Sequence, residues 1–145
     1  MPATGPEFTR RALLFAALAP RLRADSADQV WDVIGSLASS LGNGHGAEFL
    51  DAFDPAMPGY QELHANVTAL LAQADVQSAI DLVDNQGDDR TRTVEVDWLL
   101  SITRPADVSA AKRQDHVKSR FEKQGRRWRI VWLEPLAFFA PPPPK

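Results

Sequence analysis

The apolar residues of this chain change their spacing once, at Asp75, and no other feature narrows the choice of fold as much. Upstream, apolar side chains recur at helical intervals; downstream, they alternate. Ser26-Ala27-Asp28-Gln29 has the form of a capping box, with a hydroxyl for a free backbone N–H and a Gln that reaches back. The helix that follows carries Val30, Ile34, Leu37 and Leu41 on one stripe, with Val33 and Ala38 beside it. Gly42-Asn43-Gly44 stops it. A short second helix over Ala47–Phe53 offers Phe49, Leu50 and Phe53 to a core, and Asp54-Pro55 ends it because the residue before Pro leaves helical geometry. After the turn at Pro58-Gly59, a third helix spans about Tyr60–Ala74, with Tyr60, Leu63, Val67, Leu70 and Leu71 inward.

From Asp75 the period is two. Val76, Ser78, Ile80 and Leu82 share one face of a strand, which a turn signal, Asn85-Gln86-Gly87-Asp88-Asp89, follows. The clearest strand sets Val94, Val96, Trp98, Leu100 and Ile102 against Glu95, Asp97, Leu99, Ser101 and Thr103. Arg104-Pro105 ends it, and Asp107–Lys112 reads as a polar loop. Two last strands, joined at Gln124-Gly125, turn Val117, Ser119 and Phe121, then Trp128, Ile130 and Trp132, inward. Their other face, with that of the preceding strand, holds Glu95, Asp97, Lys118, Arg120, Arg127 and Arg129, with Leu99, Val131 and Leu133 among them. The Pro141–Pro144 tail cannot join a ladder and is expected to be loose. The expectation is an α+β domain over residues 25–140, with three N-terminal helices packed on a curved antiparallel sheet of about four strands.

Charge and composition exclude several functions. The net charge of −3 does not suit a dedicated nucleic-acid binder, so no nucleic-acid partner is expected. The chain has no cysteine, which removes disulfides, thiolate zinc sites and cysteine nucleophiles. No apolar run approaches the ~20 residues of a membrane span. Asp25 to Asp89 holds twelve acidic residues and no Lys or Arg, whereas Arg90 to Lys145 holds twelve basic and six acidic ones. Such a split serves two layers that attract each other weakly, or a basic half that draws an anion. Near the N-terminus, Thr9-Arg10-Arg11-Ala12-Leu13-Leu14, the apolar stretch Ala12 to Ala19, and Arg21 and Arg23 resemble a twin-arginine export signal over residues 1–24. On that reading the mature protein is periplasmic or extracellular. The alternative is an amphipathic helix broken at Pro20, in a cytoplasmic protein.

The order helix, Leu-Gly-Asn-Gly-His, short helix, Phe-Asp-Pro, third helix, then a sheet ending in Phe-Glu-Lys-Gln-Gly-Arg-Arg-Trp-Arg-Ile-Val resembles the nuclear transport factor 2-like superfamily. That superfamily includes ketosteroid isomerase, the SnoaL-like polyketide cyclases and many proteins of unassigned role. The resemblance covers about Asp25 to Phe139 and is most specific at Ser36–Phe53 and Phe121–Val131. It implies a cone-shaped, cystatin-like roll whose inner sheet face lines a cavity, and pairing of two copies through the outer face.

Carried over residue by residue, the isomerase apparatus is missing. The tyrosine position holds Leu37, the strand-acid position Val117, and the base has only an approximate counterpart in Asp54. Without oxyanion donors, proton abstraction next to a carbonyl loses its main electrostatic support. The remaining catalytic candidates are Asp54, Tyr60 and His64, the last two at i, i+4 on the third helix. His45, His64 and His116 share no metal-ligand spacing on one element, so neither a metal nor any other cofactor is expected. The ligand-binding candidates are Tyr60, Trp98, Ser119, Phe121, Trp128 and Trp132, which either stack on a small apolar ligand or fill the cone themselves. The expected function is a non-catalytic exported binding or assembly domain with an apolar conical cavity; the alternative is a SnoaL-like or isomerase-like enzyme with a rearranged acid–base site.

Overall fold

The computed structural model of the protein describes residues 26–143, so the leader expected over residues 1–24 lies outside the described residues. Helix α1 includes residues 26–42 and buries Val30, Ile34, Leu37 and Leu41, one face at i, i+4, i+7 and i+11. Gly44, at φ 72°, reverses the chain after it. The short helix α2, Gly46–Asp51, buries Phe49 and Leu50. Its exit is stitched to the sheet, because Asp54 N–H donates to the Ile130 carbonyl (2.8 Å) and Ile130 N–H donates to that of Ala52 (2.9 Å). Helix α3, Tyr60–Gln73, turns Leu63, Val67 and Leu70 inward.

Four strands follow: β1 (Asp75–Gly87), β2 (Thr91–Arg104), β3 (Ser109–Gln124) and β4 (Arg127–Glu134). They form one antiparallel sheet, curved and open, in the order β1-β2-β3-β4. The helices cover one face of it, as the α+β expectation held. Along β2 every second residue from Val94 to Ile102 is buried. A single 3-10 turn, Leu136–Phe139, then brings the chain back under the helices and buries Phe138 and Phe139. Asn66 on α3 donates to the Leu136 carbonyl (3.3 Å), which fixes where the turn enters.

Several local expectations are corrected. The segment read as a polar loop over Asp107–Lys112 is largely strand, since Ser109 to Arg113 pairs in register with Leu100 to Arg104. Its side chains are mostly exposed on both faces, so hydrophobic alternation could not reveal it. The β1–β2 turn is tighter than expected: Asp88 Oδ1 accepts from the backbone of Arg90 and Thr91, and Asn85 to Gly87 stays in the ladder. The presumed capping-box side chains bond across the fold instead, Ser26 Oγ to Asp89 Oδ1 (2.9 Å) and Gln29 Oε1 to Trp128 Nε1 (2.8 Å). Nor is the proline tail loose as far as Pro143. The buried Arg104 guanidinium donates to the carbonyls of Pro142 and Pro143, and Arg113 donates to those of Phe138 and Ala140.

The largest correction concerns Trp132. Strict alternation from Trp128 and Ile130 turns it inward, yet it is 37% exposed. The ladder shifts between Arg120 and Phe121: Phe121 pairs with Ile130, but Arg120 pairs with Trp132, which leaves Val131 as the extra residue of a bulge. One extra residue reverses the facing of everything beyond it. Trp132 therefore lies on the outer face opposite Arg120, and Leu133, expected outside, is buried.

Candidate functional site

Two regions carry the candidate residues, the hollow between helices and sheet and the outer sheet face. In the hollow, Trp98 on β2 lies edge-on to Phe139 (5.2 Å, 85°), and Phe139 meets Phe49 at 5.4 Å. Phe49 meets Phe53 at 5.2 Å, and Phe138 meets Phe139 at 5.1 Å. Tilted and edge-to-face rings at these separations are favourable pairs, so helix α2, strand β2 and the C-terminal turn are joined through one aromatic cluster. Phe121 is fully buried on the same face. Trp128 is buried at its rim, its N–H held by Gln29 and its ring covered by Lys123 Nζ at 5.8 Å.

Polar groups are few in this interior. Ser119 is buried and its Oγ donates to the Val94 carbonyl (3.2 Å). Ser78 Oγ and Trp98 Nε1 are buried without a hydrogen-bond partner among the described residues, at a cost of about 1–3 kcal/mol each. The buried Arg92 and Arg104 stand near opposite ends of β2 and donate to neighbouring oxygens, although Arg104 Nε has no partner among the described residues.

Among the described residues no hydrogen bond joins the three catalytic candidates to one another. Asp54 Oδ1 accepts from Ala56 N–H (2.9 Å) and its Oδ2 from Gln124 Nε2 (2.8 Å). The Ala56 bond chiefly, and the Gln124 bond next, hold its carboxyl below the usual range, so it is an ionised turn-closing group. His64 is exposed on α3, and half-buried Tyr60 stands 6.1 Å from it, ring to ring. Among the described residues no group of three His, Asp or Glu is arranged to hold a metal.

The outer face is electrostatically divided. Asp81 faces Asp97, and Asp84 faces Glu95, across the β1–β2 ladder. Across the next ladder Glu95 faces Lys118 and Thr93 faces Arg120. His116 stands on the boundary, Nε2 2.6 Å from Glu95 and Nδ1 3.1 Å from Asp97. The Glu95 bond first, and Asp97 second, raise its pKa, so the proton is shared into an otherwise acidic half.

No family model matches this sequence, and no curated protein matches it either. Solved structures do. The chain is similar to a conserved protein from Planctomyces limnophilus, with TM-score 0.69, 9% identity, and coverage of 75% of this chain and 93% of that one. It is also similar to a nuclear transport factor 2-like superfamily protein from Salmonella enterica serovar Typhimurium, with TM-score 0.64, 13% identity, and coverage of 76% and 89%. The chain has the nuclear transport factor 2-like fold. A nuclear transport factor 2-like protein of unknown function from Shewanella oneidensis superposes as well, with TM-score 0.57, 11% identity, and coverage of 73% and 94%. At these identities the likeness is one of fold, and the site must be argued from this chain's own residues. Within the nuclear transport factor 2-like fold, the residues sequence reasoning passed over are Phe138 and Phe139. Their signal was an apolar run, Leu136 to Phe139, set between Pro135 and Pro141.

Proposed function

We propose that this chain is a non-catalytic binding or assembly domain that works outside the cytoplasm and uses its outer sheet face to pair with a second copy. The observation that carries this reading is the closure of the hollow by Trp98, Phe49, Phe53 and Phe139. In this reading Trp98, Ser119, Phe121 and Trp128 build the cone rather than contact a ligand, and Trp132 serves the outer face. A two-fold axis through that face lays the acidic β1–β2 half of one copy over the basic β3–β4 half of the other. The pairing is self-complementary, as an isologous interface requires. Leu99, Val131 and Trp132 supply apolar contact between the charges. The export part rests on the Arg10-Arg11 leader.

A second reading is favoured by one observation. Ser78 Oγ and Trp98 Nε1, buried without partners, suit a small apolar ligand that offers one hydrogen-bond acceptor to the cone.

Native mass spectrometry of the protein recovered from producing cells tests all three parts. A dimer that Lys118→Glu with Arg120→Glu dissociates, and that Glu95→Lys with Asp97→Lys restores in the same chain, supports pairing. A monomer at every concentration overturns it. An intact Met1 refutes export, and a retained small molecule favours the second reading.

A further inference from the structure

On the helical side of the molecule, away from the outer sheet face, a cleft of about 410 Å³ opens between α1, α2 and the β3–β4 turn. A shallower one of about 590 Å³ continues it along α1, and the two share Asp32, Ser36, Ser40 and Glu48. The first volume is in the range of roughly 300–1,000 Å³ usual for small-molecule sites. Val33, Leu37 and Ala52 give it apolar lining.

Its charges are of two kinds. Asp51 is paired with Arg127 (2.9 Å), and Glu48 lies within hydrogen-bond distance of the His45 ring (3.3 Å), so each of these carboxylates has a partner. Asp32 on α1 and Arg126 on the turn have none: neither side chain has a hydrogen bond or ion pair among the described residues. The cleft thus presents one unpartnered carboxylate from one wall and one unpartnered guanidinium from another. Ser36 and Ser40, on α1 like Asp32, add hydroxyl-bearing side chains to the same wall. A purely cationic ligand meets the two arginines, and a purely anionic one meets three carboxylates. A ligand with both charges satisfies both walls.

The geometry points to a binding site for a small zwitterion of about dipeptide size, its α-ammonium received by Asp32 and its α-carboxylate by Arg126. This goes beyond the assembly reading, because the cleft and the outer sheet face are on opposite layers and one can fail without the other.

The test is an NMR titration of the ¹⁵N-labelled chain with L-alanyl-L-leucine, its N-acetyl form, its C-terminal amide and the doubly blocked dipeptide. The free dipeptide is expected to shift amides of residues 29–40, 48–52 and 126–128. Blocking either end weakens binding by about fivefold, the upper end for an exposed charge pair. Asp32→Asn removes the sensitivity to acetylation alone, and Arg126→Gln the sensitivity to amidation alone. Both positions are exposed, so the spectrum elsewhere remains that of the folded chain. Absence of shifts in the cleft, equal binding of the free and doubly blocked forms, or variants that keep both sensitivities overturns the assignment.

Discussion

Phe139→Ala probes the closure of the hollow directly. The side chain is fully buried, with aromatic neighbours on three sides: Trp98 at 5.2 Å, Phe49 at 5.4 Å and Phe138 at 5.1 Å. Truncating such a phenylalanine removes its transfer energy and leaves a cavity that rigid ring neighbours fill poorly, at about 3–5 kcal/mol in all. Against a total stability of roughly 5–15 kcal/mol, that is a large share. With a urea dependence of about 1–3 kcal/mol per molar, the midpoint falls by roughly 1–5 M. Phe139→Leu keeps a branched apolar group there and is expected to cost less, about 1–2 kcal/mol. The assay is urea unfolding followed by tryptophan fluorescence, since Trp98 reports from beside the lesion. A second readout separates a dry hole from general loosening. An apolar cavity lined by rings takes up benzene, so benzene is expected to raise the midpoint of Phe139→Ala and leave the unaltered chain unmoved. A loss below about 1 kcal/mol would refute the reasoning, because the side chain would then contribute no more than a surface group.

Other expectations are as direct. Asp54 has a lowered pKa, so its contribution to stability is present above the unfolded carboxyl value and is lost as pH falls through the folded one. Gln124→Ala is accordingly less stable near neutrality, with the gap to the unaltered chain closing on acidification; a gap that stays constant with pH counts against the assignment. His116 has a raised pKa, so its contribution is complete below the unfolded value of about 6.5 and is lost as pH rises through the folded one. The groups facing it are Glu95, Asp97 and, beyond Asp97, Asp81. Glu95→Gln is expected to lower the imidazole titration midpoint seen by proton NMR, and an unmoved midpoint would show that the 2.6 Å bond is not formed. Two glycine replacements should move thermal stability in opposite directions. Gly59→Ala places a Cβ at φ 80° against Leu136 Cδ1 and loses about 1–2 kcal/mol or more, whereas Gly35→Ala, in a helix with open space around it, gains about 0.5–1 kcal/mol. Equal signs would be the contrary result.

Legibility followed the physics of each segment. The stripe Val30, Ile34, Leu37 and Leu41 and the alternation Val94 to Ile102 were readable because one side of each element is buried and the other is not. Ser109 to Arg113 was unreadable because hydrogen bonds to β2, not side-chain burial, make it a strand. The candidate site was read in part. Trp98, Phe121 and Trp128 are on the face that alternation assigns them, but Phe138 and Phe139 arrive from a segment with no period of its own. Asp32 and Arg126 share a cleft although they are far apart in sequence, and no local pattern announces such a meeting.

The amino-acid order alone determined the helix-then-strand succession and most of the core, since periodicity acts over neighbouring residues. The tertiary structure decided which way Trp132 points, what closes the hollow and which charges remain unpartnered. Each of these depends on a contact between distant segments: a bulge defined by the strand opposite, a C-terminal turn packed under α2 and β2, and a cleft with walls from three elements.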